Sequence, residues 1–216
     1  MASFKEIERS HWQYYLELEQ EMILTRRYVD FQKENFSTYS VEFLKLLQAV
    51  CGEIDTFGKI IASDISHDFQ ADNKTNIIKW WFEVQSWYNE LNNKTVLFCK
   101  EFELSPWASF EVEKRADKNG KMKCYLKKDN GIHIPFWWNA YNSVKHNRTK
   151  IDNFGKTNYM KANLKNTCNA FAALYILEKN YLQQLGKEEE NAALGKSIMF
   201  ETEHYPYRDG QALVIW

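Results

Sequence analysis

The chain has 216 residues, of which 44% are hydrophobic and 16% aromatic, with only 8 Gly and 3 Pro. That supports one sizeable core and excludes a disordered, repeat or low-complexity protein. A formal net charge of −1 also excludes a uniformly basic surface, so any anion-binding face must come from uneven charge along the chain.

Phe4, Ile7, His11/Trp12, Tyr15, Leu18, Met22 and Val29 recur at three- and four-residue steps, which predicts a long amphipathic helix over 4–33. Glu6, Glu17 and Glu21 would form its solvated face. Ser40 is placed to cap a second long helix, marked by Val41, Leu44, Leu47, Val50/Cys51, Ile54, Phe57 and Ile61. Asp64, His67 and Asp68 could share a face, but three candidate ligands without a fourth near a helix end read better as a polar turn. Asp72 or Asn73 is expected to cap a third helix, whose stripe of Ile77, Trp80/Trp81, Val84, Trp87/Tyr88 and Leu91 reads as core. Four scattered cysteines (Cys51, Cys99, Cys124, Cys168) without a CxxC signal neither a disulfide framework nor a metal site.

The period then changes. Phe110 and Val112, then Met122, Cys124 and Leu126, alternate with polar residues across Lys118-Asn119-Gly120. A three-residue loop with Gly120 left-handed pairs Val112 with Leu126 and Glu111 with Lys127, keeping both faces consistent. A β-hairpin, inserted within about 96–134, is therefore expected. Pro135 then opens a helix carrying Trp138, Tyr141 and Val144/Lys145, with Lys145, His146 and Arg148 at its end. Thr149 to Lys156 is a looser stretch. Tyr159 to Leu185 reads as a long helix stopped by Gly186, with Ala170, Ala172 and Ala173 allowing close approach of a neighbour. Lys187 to Asn191 reads as a charged loop. The rest of the tail (187–216), with Leu213-Val214-Ile215-Trp216, reads as an extended segment. The expected fold is mainly α: an up-and-down bundle of four or five helices in one domain, 1–216, with the inserted hairpin. The N-terminal residues lack an apolar signal region and no window could span a bilayer, so a cytoplasmic protein with no membrane association is expected.

Charge is concentrated. From Lys114 to Lys165 there are thirteen Lys/Arg against three acids (Asp117, Asp129, Asp152), a net of +10, which leaves −11 for the remainder. Such a split suits an anion-binding face on an acidic body. The alternative is that the basic segment meets acidic helices of its own or a second subunit. Lys150, Lys156, Lys161, Lys121, Lys123 and His133 are the candidate phosphate contacts. His11, His67 and His204 lie outside the segment and read as structural.

The run Trp137-Trp138-x-x-Tyr141-Asn142-x-Val144-Lys145-His146-x-Arg148, followed by an Ala/Leu-rich helix, resembles HEPN domains, helical bundles that include toxin and antiphage ribonucleases. Members typically carry an Arg and, four to six residues on, a His, often as Arg-Asn-x-x-x-His. This chain has Asn142-x-x-x-His146, with Tyr141 where that Arg would stand. The resemblance implies a homodimer with a composite site, Tyr141 and Trp138 being candidates for the interface; an antitoxin or effector partner is compatible with it.

Metal-free RNA cleavage needs a base for the 2′-hydroxyl, an acid for the leaving 5′-oxygen and positive charge on the phosphate. A histidine near neutrality serves as base or acid, and fixed cations stabilise the developing charge. His146 would be the base or acid, Lys145 or Arg148 would replace the missing Arg, and Asn142 would orient phosphate or imidazole. No cofactor is implied. The other readings are a non-catalytic HEPN module that binds RNA, nucleotide or a protein through the basic face, and a purely structural dimer. No phosphate-binding Gly loop, GxSxG elbow or HExxH supports another chemistry.

Overall fold

A computed structural model describes residues 2–88, 90–129 and 131–201, and these are mainly helical with two small antiparallel sheets. The Ser3 hydroxyl accepts from the Glu6 N–H while the Glu6 carboxylate takes the Ser3 N–H, a reciprocal cap that starts the first helical stretch. That stretch runs as α1 (Phe4–Ile7), a π-helical turn (Glu8–Trp12) and α2 (Gln13–Thr25). It buries Phe4, Ile7, Trp12, Tyr15, Leu18 and Met22. The predicted helix stops at Thr25 instead of 33, where the Thr25 hydroxyl turns back onto the Met22 carbonyl at 2.7 Å.

Ser40 caps α3 (Val41–Ile65) as its sequence suggests, accepting from the Phe43 N–H at 3.0 Å. The cap of α4 (Ile77–Trp87) is Asn76, not Asp72 or Asn73. Asp72 instead holds the Lys74 N–H and the Thr75 hydroxyl, closing a turn just before the helix. α3 packs on α4, and a Cβ at Gly58 would lie 2.6 Å from the Trp80 indole. The glycine is there to admit that ring.

β1 (Val96–Phe98) and β2 (Phe102–Leu104) form a hairpin absent from the sequence-based expectation. Its turn residues, Cys99 and Lys100, have φ of +49° and +62°, the left-handed pair of a type I′ turn without the usual Asn-Gly signature. The expected hairpin is β3 (Val112–Ala116) with β4 (Met122–Leu126), and Val112 faces Leu126 in it. The Lys127 N–H reaches the Glu111 carbonyl at 3.0 Å, so the register is the expected one.

α5 (Phe136–Asn147) starts one residue after Pro135, which occupies the cap. A 3-10 turn (Asn158–Lys161) precedes α6 (Leu164–Leu185), so the last long helix starts at its Asn163 cap instead of Tyr159. α6 is the buried spine, packed by α3, α5 and the N-terminal helix. Gly186 ends α6 at φ −85°, and a Cβ there would meet the Phe4 ring at 2.6 Å. Close approach, not a left-handed cap, calls for that glycine. The predicted charged loop after it is a short helix, α7 (Glu188–Ala193), whose start is held by the Lys187 N–H on the Glu190 carboxylate. β5 (Phe200–Glu201) pairs with β1, giving the order β2-β1-β5. The rest of the predicted extended tail, and His204, lie outside the described residues. Among the described residues no helix is long and apolar enough to cross a membrane.

Candidate nucleic-acid interface

α5 is fixed by its apolar face. Trp137 is fully buried and donates its indole N–H to the Pro106 carbonyl at 2.8 Å, with Ala140, Tyr141 and Val144 following at helical spacing. This rotation leaves Asn139, Lys145 and His146 exposed and Asn142 half-buried. His146 and Asn142 share a face, as their spacing demands, and among the described residues neither side chain has a hydrogen bond or ion pair. Lys145 lies 5.2 Å over the Tyr141 ring, a cation–π contact that holds its ammonium near the surface. Among the described residues the Arg148 guanidinium reaches only Gln48 of α3, at 3.5 Å.

The end of α5 is closed by the next segment. The Asn158 amide donates to the Asn147 carbonyl at 2.8 Å and to the Ser143 carbonyl, satisfying acceptors a helix end otherwise leaves open. The Tyr159 N–H takes the Arg148 carbonyl. Between these contacts residues 152–156 form a tight turn. The Asp152 N–H bonds the Lys156 carbonyl, the Gly155 N–H bonds the Asp152 carbonyl, and Asp152 Oδ1 accepts from the Phe154 and Lys156 amides, all at 2.9–3.1 Å. Those amides hold the Asp152 carboxyl below the usual range, the Lys156 N–H contributing most. A cleft of about 380 Å3 opens here, lined among others by Ser143, Asn147, Lys150, Asn153 and Lys161. Lys161 also donates to the Ser143 hydroxyl at 3.2 Å.

This Asp-x-x-Gly-Lys turn has a twin. Residues 117–121 carry the same pattern, with the Asp117 N–H on the Lys121 carbonyl, the Gly120 N–H on the Asp117 carbonyl and Asp117 Oδ1 holding the Asn119 and Lys121 amides. The glycines have φ of +74° and +76°, a conformation in which a side chain is strained. The stretch after α5 was thus readable as a turn from the motif that marks the hairpin loop.

The basic residues divide between these two places. On the hairpin, Lys123 pairs with Asp117 at 2.6 Å, Lys127 with Glu111 and Asp129, Lys114 with Glu83 of α4, and Arg115 with Glu113. Lys118, Lys121 and Lys128 alone among its cations have no ion pair in the described residues. At the α5 corner Lys145, Arg148, Lys150, Lys156 and Lys161 all lack one. The proposed contacts at Lys150, Lys156 and Lys161 therefore sit with His146 at one end of α5. Lys121 and Lys123 sit on the hairpin, where Lys123 is already committed. His133 belongs with the loop before the hairpin, its N–H on the Ser109 carbonyl and its ring on the Gly131 carbonyl.

Trp138 and Tyr141, expected at an interface between protomers, are each only 6% exposed and belong to the protomer's own core, Trp138 packing against Trp137 and Tyr141. Their three-residue spacing puts both on the face that meets the bundle. Asp64, considered above as a ligand, accepts a hydrogen bond from Tyr181. The interior also holds acids that the amphipathic pattern hides. Glu19 binds the Tyr15 and Ser197 hydroxyls and the Ile198 and Met199 amides, tying α2 to the segment before β5. Glu178 is fully buried in α6, and neither carboxylate oxygen has a partner among the described residues. Burial, reinforced by the charge of Glu53, drives its pKa well up, which favours the neutral acid. Glu53 itself bonds His11 on the π-helical turn, which accounts for that histidine structurally. A groove of about 590 Å3 lies elsewhere, between α2 and α3 beside Leu24, Tyr28 and Phe43, and its mainly apolar lining, which includes Glu21 and Glu42, is unsuited to a phosphate.

No protein-family model, curated protein or solved structure matches the chain. The residues of the α5 corner are the basis for its functional reading.

Proposed function

We propose that the protein is a HEPN-like, metal-independent endoribonuclease of the toxin or phage-defence kind, working as a homodimer through the α5 corner. In this reading the long helices form an up-and-down bundle with the β1–β4 segment inserted before α5. The observation that carries the proposal is an exposed His146, flanked in sequence by Lys145 and Arg148, with none of the three in an ion pair among the described residues. His146 takes the 2′-hydroxyl proton or protonates the 5′-oxygen, and one His from each protomer supplies the pair. Lys145 and Arg148 stabilise the charge developing on the phosphate, and Asn142, free on the same face, orients it.

Tyr141 favours a second reading, a non-catalytic module that binds RNA, nucleotide or a protein partner such as an antitoxin through the same cations. Its buried ring leaves no guanidinium at the family's Arg position. Cleavage of mixed-sequence RNA in EDTA, read as 2′,3′-cyclic phosphate ends, separates the two. The nuclease cuts as wild type and loses at least about a hundredfold in rate as His146→Ala, the scale of a lost general acid or base, with RNA affinity retained. A folded dimer that binds RNA without cutting it supports the module.

A further inference from the structure

Phe154 is 87% exposed at the tip of the 152–156 turn. A single exposed ring is ordinary on a protein surface, so the first question is whether the turn needs this one. Its twin answers that. At the corresponding position of an identically bonded turn stands Asn119, and in both cases the backbone amide, not the side chain, makes the bond to the aspartate. The backbone has no use for the phenyl ring.

Its surroundings are those of a nucleic-acid contact. Lys150 and Lys156 flank the turn, both exposed and without an ion pair in the described residues, and Ile151, 61% exposed, lies at its base opposite Thr157. Asn153, next to the ring, lines the same cleft as Asn147, the neighbour of His146 in α5. Cations that track a phosphate backbone, interleaved with an aromatic that offers a face, are how single strands are held without sequence readout. A duplex keeps its bases stacked on one another and offers this ring nothing. The four hydrogen bonds of the turn fix the backbone that carries the ring before any ligand arrives, which lowers the ordering cost on binding.

We propose that Phe154 is a base-stacking residue that makes the α5 corner select single-stranded over duplex RNA; this rests on the RNA-binding reading above. The test measures affinity of the full-length protein for one mixed-sequence RNA, single-stranded and as a duplex, with a 2-aminopurine in the single strand to report stacking. Wild type and Phe154→Trp quench the probe and bind the single strand alike. Phe154→Leu and Phe154→Asn, the latter borrowing the residue of the twin turn, lose the quenching and about tenfold or more in single-strand affinity, the scale of one stacked base. Their duplex affinity stays unchanged. Leu and Asn variants that bind single strands as wild type does overturn the proposal while leaving RNA binding intact. So does a change of oligomeric state in these variants, which would make the ring a contact between copies of the chain. Failure of wild type to bind RNA of either form removes the underlying reading instead.

Discussion

The turns at 117–121 and 152–156 share five-residue spacing, hydrogen bonds and a left-handed glycine, yet they lie in opposite electrostatic settings. Around the hairpin turn, four of seven cations, Lys114, Arg115, Lys123 and Lys127, pair with Glu83, Glu113, Asp117, Glu111 and Asp129, across the strands, along them and against α4. Around the second turn, Lys145, Arg148, Lys150, Lys156 and Lys161 have no ion pair among the described residues, and the acid of that turn, Asp152, has its Oδ1 occupied by backbone amides. Two equally basic stretches of sequence thus become one self-neutralised surface and one open to an anion. Exposed pairs such as those on the hairpin contribute little to stability, but they set which lysines still need a partner.

The largest predicted effect tests that difference directly. Lys150→Glu with Lys156→Glu weakens single-stranded RNA binding by on the order of thirtyfold or more near 0.1 M salt and lowers the salt slope by about 1.4, two phosphate contacts at roughly 0.7 each. Lys123→Glu with Lys127→Glu changes affinity by less than about threefold, since those ammonium groups have carboxylate partners already. Filter binding across a salt series measures both. Equal losses from the two pairs would break the comparison and spread the binding face over the hairpin.

The limits of sequence legibility follow from the same contrast. The hairpin register was readable because only one alignment keeps Val112 opposite Leu126, and the Ser40 cap because a hydroxyl there has one obvious partner. The β1–β2 hairpin was not, because Cys99 and Lys100 adopt left-handed angles without a residue type that advertises them. The basic segment was legible as a sum and not as a surface. A window opened at Lys114 leaves out Glu111 and Glu113, the acids that pair with Lys127 and Arg115 across and along the strands. That Asn142 and His146 share a face of α5 was legible, since four-residue spacing on a helix fixes it. Trp138 and Tyr141 lie in the chain's own core, which their apolar face could not announce, since it does not say whether it meets its own bundle or another subunit. Phe154 escaped notice because exposure is a tertiary property.

A smaller effect checks that the turns are twins in energy as well as geometry. A Cβ at Gly120 or Gly155 would meet nothing within 4 Å, so the cost of alanine is backbone strain alone. Gly120→Ala and Gly155→Ala should each destabilise by about 1 kcal/mol, lowering the thermal midpoint by about 2–4 °C. The two shifts should agree closely. A Gly155→Ala protein that also loses RNA affinity would show that the strained turn matters for presenting Phe154.

The smallest effect is a titration. The Lys123 ammonium, ahead of the Asn119 and Lys121 amides, holds the Asp117 carboxyl down at about 2, whereas Asp152 is held down chiefly by the Lys156 amide. A depressed folded-state pKa stabilises the fold above the unfolded value and loses that contribution as pH falls through the folded one. Each turn should therefore stay intact below the ordinary aspartate range, near 3.9, and loosen only in stronger acid, the hairpin turn last. The amide protons of Asn119 and Phe154, followed by NMR, report the two midpoints. High salt should raise the Asp117 midpoint, because it screens a lysine partner, and move Asp152 less, because backbone amides carry no net charge to screen and the charges of Lys156 and Lys161 act on it only as lesser contributions. Equal salt sensitivity would mean that a corner lysine pairs with Asp152 in solution, and the charge available to a phosphate there would be smaller by that pair.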